Sequence, residues 1–246
     1  MRDNAVVKIA LVGNPNTGKT SLFNQLTGLK QKVGNYPGIT VDKKHGKFKI
    51  NEKLTAEIVD LPGTYSLNPQ TLDETIVLET LLDRDNDAHP DLIIVVAEVE
   101  NLKRNLLLFT QIKDLQLPTI LAINMVDQMD RKGIEIDIEK LKEELKTEII
   151  LISSRKNIGI ENLKTALGNY EKWDTEPLAI FSDKIDPEYF NEIKSKFPEN
   201  SLYKSWLLIT QHKYCNFLTK AQHSKIDAFV LDSEKIKKYQ HNETIF

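Results

Sequence analysis

Short apolar runs alternate with amphipathic stretches along the first two thirds of the chain. Runs rich in β-branched residues predict buried strands, and an alternating stretch followed by another such run predicts a β-hairpin. The predicted strands cover residues 6–12, 46–50, 54–61, 92–97, 119–123 and 148–152. Helical periodicity predicts one helix from residue 21 onward and others over 71–83, 101–115, 136–146 and 162–170. Strands that alternate with helices favour an α/β fold with a mostly parallel, doubly wound sheet, whose ligands bind at the carboxyl ends of the strands.

The pattern changes near residue 173. From there to Phe246 the chain contains no glycine and no alternating stretch that would indicate a strand. Asp186 followed by Pro187 is typical of a helix start, with an aspartate cap and a proline in the first helical position. Amphipathic patterns predict further helices over 202–218 and 233–239. We therefore predict an α/β domain over residues 1–170 and a small all-helical domain over residues 171–246.

Composition narrows the class of protein. The 246 residues carry a net charge of −3, which excludes a strong general attraction to nucleic acid or anionic lipid. Cys215 is the single cysteine, so no internal disulfide can form, and we expect it to be a small buried residue in a reducing compartment. No apolar stretch approaches the roughly 18 residues needed to span a bilayer, and the N-terminus leaves no room for a signal peptide. We therefore expect a soluble, intracellular chain.

The first predicted strand runs into a glycine-bounded loop with the spacing G-x-x-x-x-G-K-T, and a helix follows. In such a loop the backbone N–H groups and the helix N-terminus hold phosphate oxygens. Lys19 would neutralise the β- and γ-phosphates, and Thr20 would offer its hydroxyl to Mg²⁺. This pattern predicts a nucleoside triphosphate site. Its residues are Gly13, Asn14, Pro15, Asn16, Thr17, Gly18, Lys19, Thr20 and Ser21.

Asn124 and Asp127, which follow a predicted buried strand, indicate which nucleotide is bound. A carboxylate at Asp127 would accept hydrogen bonds from N1–H and the 2-amino group of guanine, which adenine cannot donate. Asn124 would link this segment to the phosphate loop. The next strand ends in Ser153, Ser154 and Arg155, where we expect the backbone N–H of Ser154 to contact the guanine oxygen.

Two further segments would surround the γ-phosphate. Asp60 would hold Mg²⁺ through water, and the backbone N–H of Gly63 would reach the γ-phosphate. Residues 28–44 have little periodicity, so we expect a mobile loop there that carries Gly38 and Thr40. Thr40 would complete the Mg²⁺ shell only when a triphosphate is bound. Both segments would then order with GTP and relax after hydrolysis.

These stretches resemble the five conserved motifs of Ras-like P-loop GTPases. Residues 13–24, 33–41, 60–67 and 101–106 together resemble the cytosolic part of FeoB, a family of bacterial ferrous-iron transporters. The resemblance implies a GTP-hydrolysing regulatory domain at the cytoplasmic side of the inner membrane, followed by a helical spacer that slows nucleotide release. It also implies a membrane-embedded iron-transport domain as a partner in the full-length protein, and leaves a homo-oligomer open.

The chain departs from the usual GTPase pattern at several positions. Thr64 stands where many GTPases carry the glutamine that orients the attacking water, so we expect slow intrinsic hydrolysis. Met125 replaces a lysine and would lie along the base, and Tyr36 stands where the family commonly has tryptophan. In K⁺-activated GTPases that this chain resembles, an asparagine at the place of Asn16 helps to hold K⁺. The alternative is that Asn16 only caps a turn.

Two other functions stay open at this point. A soluble GTPase of ribosome assembly or tRNA modification would carry much the same motifs, although the helical part lacks the basic, aromatic surface that RNA binding favours. A GTP-dependent interaction module without hydrolysis is also compatible with the motifs. The histidines and Cys215 show no close metal-ligand spacing, so we expect Mg²⁺ and K⁺ here rather than iron, and no nucleic acid partner.

Overall fold

The computed structural model describes residues 5–29, 31–35, 42–178 and 186–230, and only the backbone of residues 31 and 32. Gly38, Thr40 and the predicted helix over 233–239 lie outside the described residues. Within the described ranges, no helix is both long enough and apolar enough to cross a lipid bilayer.

Among the residues that the structure describes, one sheet of seven strands forms the centre. In chain order the strands are β1 (Ala5–Gly13), β2 (Gln31–Asn35), β3 (Asp42–Lys49), β4 (Leu54–Asp60), β5 (Leu92–Glu98), β6 (Thr119–Asn124) and β7 (Ile149–Leu151). Across the sheet their order is β2-β3-β4-β1-β5-β6-β7. The pairs from β4 to β7 are parallel, whereas β2 and β3 form an antiparallel ribbon against β4. The predicted α/β class with a mostly parallel sheet is confirmed.

The helices of the α/β part lie where periodicity predicts them, with ends shifted by a few residues. In the described ranges the helices are, in chain order, α1 (Lys19–Thr27), α2 (Leu72–Leu82), α3 (Leu102–Lys113), α4 (Met129–Lys132), α5 (Ile138–Leu145), α6 (Ile160–Leu167), α7 (Pro187–Lys196), α8 (Leu202–Gln211) and α9 (residues 220–230). The short α4 has no counterpart in the prediction, because four residues are too few to show a helical period. Gly133 ends it in a left-handed conformation, with φ of 62°.

Alternation along β1 separates two apolar layers, one on each face of the sheet. Ile9 and Leu11 pack in the layer that includes α1 and α6, whereas Ala10 and Val12 pack in the layer that includes α2 and α3. In β5, residues 92–97 are all buried, as expected for a central parallel strand covered on both faces. This rigid centre fixes the positions of the loops at the carboxyl ends of the strands.

The expectation of a loop over residues 28–44 is wrong in part, because this stretch contains β2 and the start of β3. β3 begins at Asp42 rather than at residue 46, and it pairs with β2 from Gly46 back to Asp42. The ribbon lies at the edge of the sheet and carries several lysines. Charged side chains are favoured on edge strands, where they discourage pairing with other chains, but they hide the apolar alternation that would reveal a strand.

The helix start predicted at Asp186 is confirmed. Asp186 caps α7 by accepting a hydrogen bond from the backbone N–H of Tyr189 at 3.0 Å, with Pro187 in the first turn. In contrast, α8 ends at Gln211 instead of extending to residue 218, and α9 was not predicted. Cys215 and Leu218 are buried although they lie beyond the end of α8. Their apolar character continues the helical pattern of the sequence past the point where the helix stops. Cys215 is therefore the small buried residue that we expected.

Aromatic rings fill the core of the helical part. Tyr189 contacts Phe190, Trp206 and Phe229 edge-on, with ring centroids 5.4 to 6.4 Å apart, and its hydroxyl donates to the carbonyl of Phe229 at 3.1 Å. This cluster belongs to the same continuous apolar core as α2 and α3. The helical part is thus packed on one face of the α/β part.

Lys113, at the end of α3, is completely buried. Its Nζ donates to the carbonyl of Lys146 at 2.9 Å and also to the carbonyl of Asp174. Burial lowers the pKa of the Lys113 ammonium group. The next residue, Asp114, accepts a hydrogen bond from the backbone N–H of Leu178 at 2.7 Å. Together these contacts anchor the connection to the helical part.

The substitution Lys113→Ala should lower the free energy of unfolding by about 3 kcal/mol, because it leaves a cavity in place of a fully buried side chain and two backbone carbonyls without this donor. Urea denaturation measures this change. Lys103→Ala is the matched control, since Lys103 lies exposed on the same helix and should change stability by about 0.5 kcal/mol or less. Equal effects of the two substitutions would show that Lys113 does not anchor the connection.

Candidate functional site

The loop between β1 and α1 is tightly constrained. Gly18 caps α1 in a left-handed conformation with φ of 86°, and a Cβ there would collide with the side-chain amide of Asn124. Asn16 also has a positive φ, 67°, which asparagine tolerates better than most residues. The side chain of Asn16 is exposed, whereas that of Asn14 is buried and neither of its polar atoms has a partner among the described residues.

Asn124, at the end of β6, joins separate segments of the site. Its Nδ2 donates to the carbonyl of Thr17 at 2.9 Å. Its Oδ1 accepts hydrogen bonds from the backbone N–H and the hydroxyl of Ser154, at 3.0 and 3.1 Å. Asn124 is only 3% exposed, so these bonds are shielded from water. A single buried amide therefore sets the distance between the phosphate loop and the segment after β7.

A cavity of about 610 Å³ opens beside Asn124. Asp127 lies in its wall, where its carboxylate accepts a hydrogen bond from the hydroxyl of Ser153 at 2.7 Å and lies 3.7 Å from Nζ of Lys156. The Ser153 hydrogen bond is the main reason that the pKa of Asp127 lies below its ordinary value. The carboxylate is thus kept charged and ready to accept hydrogen bonds. The lining residues are Gly18, Ser21, Asn124, Met125, Asp127, Gln128, Arg131, Ser153, Ser154, Arg155 and Lys156.

Three of these lining residues were missed by sequence reasoning: Gln128, Arg131 and Lys156. Arg131 lies one helical turn after Asp127, and this spacing is the signal that could have revealed it. Met125 has a left-handed conformation with φ of 67°, which starts the short helical turn that carries Asp127.

The opposite end of the site contains a close pair of oxygen-bearing side chains. The hydroxyl of Thr20 donates to Oδ2 of Asp60 at 2.7 Å, while Oδ1 of Asp60 is buried and has no partner among the described residues. Burial raises the pKa of Asp60, an effect opposed by Thr20 and by the charges of Lys19 and Lys44. Burial likewise lowers the pKa of Lys19, and the charge of Asp60 opposes this. An unpartnered carboxylate oxygen next to a hydroxyl fits a hard cation such as Mg²⁺.

Gly63 and Thr64 follow β4 and lie against the phosphate loop. A Cβ at Gly63 would lie 3.1 Å from Cα of Pro15, and the backbone N–H of Thr64 donates to the carbonyl of Gly13 at 3.3 Å. Thr64 is completely buried, and its hydroxyl donates to the carbonyl of Ser66 at 2.7 Å. Its proton is therefore already engaged, so the hydroxyl could donate to a water molecule only by leaving Ser66. Its role in orienting the attacking water stays a prediction.

The structure therefore gathers at one edge of the sheet every predicted site residue that it describes, with the base cavity at one end and the Thr20–Asp60 pair at the other. Gly38 and Thr40 are outside the described residues. A glycine-bounded phosphate loop, an Asn124–Asp127 pair and the strand order of the sheet define a P-loop domain of the GTPase class.

Comparison with known proteins identifies the family. The N-terminal domain family described as ferrous iron transport protein B matches residues 7–167. The Fe(2+) transporter FeoB of Leptospira biflexa is 37% identical over 217 residues, which are 88% of this chain and 31% of that protein. The Escherichia coli K12 protein of the same name is 44% identical over 181 residues, which are 72% of this chain and 23% of that protein. The matched part of this chain thus spans only 23% to 31% of the length of these relatives.

Solved structures agree with this result. The G domain of T. maritima FeoB is 40% identical and has a TM-score of 0.61, covering 68% of this chain and 99% of that one. A GDP-bound mutant of the S. thermophilus FeoB G domain is 33% identical with a TM-score of 0.74, covering 95% and 90%. The cytosolic domain of L. pneumophila FeoB is 35% identical with a TM-score of 0.74, covering 94% and 96%. The chain belongs to the FeoB family and corresponds to its N-terminal guanine-nucleotide-binding G domain with part of the helical region.

The substitution Ser153→Ala should weaken GDP binding about fivefold at neutral pH, because Asp127 loses the 2.7 Å hydrogen bond that holds its carboxylate in position. The pKa of Asp127 should rise toward its ordinary value. A carboxylate with a lowered pKa stays charged until the pH falls through that pKa. The variant, with its higher pKa, should therefore lose GDP affinity at a higher pH than the wild type does.

Fluorescence titration with a labelled GDP across the acidic range measures both effects. Lys156→Ala is the comparison variant. Its ammonium group lies 3.7 Å from Asp127 and is largely exposed, so we expect a loss of about twofold or less. A Ser153 variant with unchanged affinity and an unchanged acidic limit would contradict the assignment.

Proposed function

We propose that this chain binds and slowly hydrolyses GTP, and that its nucleotide state regulates Fe²⁺ transport by a membrane-embedded part of a longer protein. Residues 1–170 form the GTP-binding domain, and residues 171–246 form a helical spacer that influences nucleotide release. The chain acts at the cytoplasmic side of the bacterial inner membrane. The names of the matched relatives, all Fe(2+) transporters, support the transport role.

The observation that carries this proposal is the pairing of Thr20 with Asp60 in the same site as the Asn124–Asp127 cavity. The cavity accounts for the base, and the pair accounts for the metal-bound phosphates. Gly13 to Ser21 hold the phosphates between these two ends, with Lys19 placed to neutralise the charge that develops on them during transfer. Phosphoryl transfer depends mainly on such positioning and charge neutralisation, so the site needs no covalent nucleophile.

Mg²⁺ would be held by the hydroxyl of Thr20 and, through water, by Asp60, with Thr40 joining when GTP is bound. The unpartnered Oδ1 of Asp60 supports this assignment. When bound, the ion neutralises negative charge on the β- and γ-phosphates. Thr64 is the candidate for orienting the attacking water, and the absence of a glutamine there supports a slow rate.

K⁺ is the proposed activator, with Asn16 as a ligand. The side chain of Asn16 is exposed, and within the described part of the chain it makes no hydrogen bond. This favours the K⁺ role over a turn cap, because a capping asparagine would bond to the backbone nearby. A monovalent cation at this point would supply positive charge where other GTPases use an arginine finger.

Base specificity offers the most direct test of the site. The substitution Asp127→Asn should weaken GTP and GDP binding roughly a hundredfold, because an amide cannot accept both hydrogen bonds from guanine. The same variant should gain affinity for xanthine nucleotides, whose 2-oxygen accepts a hydrogen bond from the new amide. Nucleotide titration measures both affinities.

The control is Asp130→Asn, which makes the same charge change one turn away at an exposed residue outside the cavity lining. It should leave the preference for guanine intact. Loss of guanine binding without any gain for xanthine nucleotides in the Asp127 variant would count against direct contact with the base.

Turnover of GTP should be at least about tenfold faster in KCl than in NaCl at equal ionic strength, by analogy with the charge supplied by an arginine finger. Asn16→Ala should abolish this difference, so that the variant turns over GTP equally in both salts. Release of inorganic phosphate measures the rates, and RbCl is a further test because Rb⁺ resembles K⁺ in size. Equal wild-type rates in KCl and NaCl would remove K⁺ from the mechanism.

A further inference from the structure

The segment Asn101 to Leu106 contributes no residue to the lining of the base cavity, although its sequence is part of the family resemblance. Asn105 is buried, and its Oδ1 accepts a hydrogen bond from the backbone N–H of Glu98 at 2.8 Å. Asn101 donates to the carboxylate of Glu98. These two contacts fasten the first turns of α3 to the end of β5. Glu98 in turn pairs with Asn124 in the neighbouring strand.

With its start fixed, α3 presents two side chains to the loop that follows Gly63. The guanidinium carbon of Arg104 lies 4.1 Å from the centroid of the Tyr65 ring. Two helical turns further on, Oε1 of Gln111 accepts a hydrogen bond from the backbone N–H of Leu67 at 2.9 Å. α3 therefore holds this loop at two points.

The same loop is attached to the phosphate loop at its other end, through the hydrogen bond from Thr64 N–H to the carbonyl of Gly13. Gly63 lies between these attachments. Tyr65 is 41% exposed, and of the two contacts made by α3 its contact with Arg104 is the one nearer to Gly63 in sequence. Removing this contact would loosen the segment around Tyr65 while Thr64 and Leu67 stay attached, and ordering that segment again would oppose any contact that Gly63 makes.

We infer that Arg104 is a positioning residue that acts through Tyr65 to keep the backbone N–H of Gly63 in place for the γ-phosphate. This inference rests on the proposed GTP function. GDP has no γ-phosphate and so cannot accept the hydrogen bond from the Gly63 N–H. Arg104 therefore contributes to the binding of triphosphate and not to that of diphosphate. The α3 segment thus adds discrimination between the two nucleotides.

The test compares affinities for GDP and for GTPγS, a slowly hydrolysed triphosphate, in the presence of Mg²⁺. Arg104→Ala should weaken GTPγS binding roughly fivefold and leave GDP binding unchanged, since a cation–π contact of this kind is worth that factor. Tyr65→Leu should have the same effect, and the double variant should be no worse than either single one. Arg104→Lys should recover part of the loss. Lys103→Ala removes an exposed positive charge from the same helix and should change neither affinity.

An equal loss for both nucleotides would overturn the inference, because it would indicate a general structural role. Unchanged GTPγS affinity in Arg104→Ala and Tyr65→Leu, or additive losses in the double variant, would overturn it as well. Tyr65→Leu changes an exposed residue and leaves α3 intact, so it decides the matter even if Arg104→Ala folds poorly. Absence of GTP turnover in the wild type, with the affinity ratio still dependent on Arg104, would contradict the proposed hydrolysis and leave this inference standing.

Discussion

The buried amide of Asn124 is the contact on which the nucleotide site depends. Its hydrogen bonds to Thr17 and Ser154 join the phosphate loop to the segment after β7, and its backbone carbonyl accepts a further bond from Val99 at 3.2 Å. Because the amide has both donor and acceptor groups and is almost inaccessible to water, no other side chain of similar size could satisfy all these partners. Gly18 lies so close to this amide that any side chain at position 18 would displace it.

The sheet makes this arrangement possible. Parallel strands β1, β5, β6 and β7 end at one edge, so segments that are far apart in sequence meet there without long connections. The fully buried middle of β5 provides the rigidity, while the loops provide the chemistry. Lys113 and the aromatic cluster around Tyr189 extend this core into the helical part, so that the loop after Gly63 and the helices beyond residue 186 rest on the same two helices, α2 and α3.

Sequence patterns predict the central strands, the helices around them and most of the nucleotide site, because these elements combine strong periodicity with motifs of fixed spacing. They fail at the edge of the sheet, where β2 and β3 carry lysines instead of an apolar alternation. They also fail where contacts are set by tertiary packing alone. Lys156 lines the base cavity from the turn after Arg155, and Arg104 meets Tyr65 only because the loop after β4 lies against α3. The role of Arg104 could not be derived from its position in a motif.

The electrostatics of the phosphate end explain why the fold must be so rigid. Lys19 and Asp60 are both removed from water, so burial works against the charge of each, and Oδ1 of Asp60 and the amide of Asn14 lack partners among the described residues. A flexible loop would relax by turning these groups toward solvent. The fixed strand ends prevent this and keep the charges in place. Binding of phosphate and a cation then offsets the free-energy cost of desolvating these groups. A nucleotide that completes the site therefore stabilises the protein, and the loop held by α3 makes that stabilisation depend on which nucleotide it is.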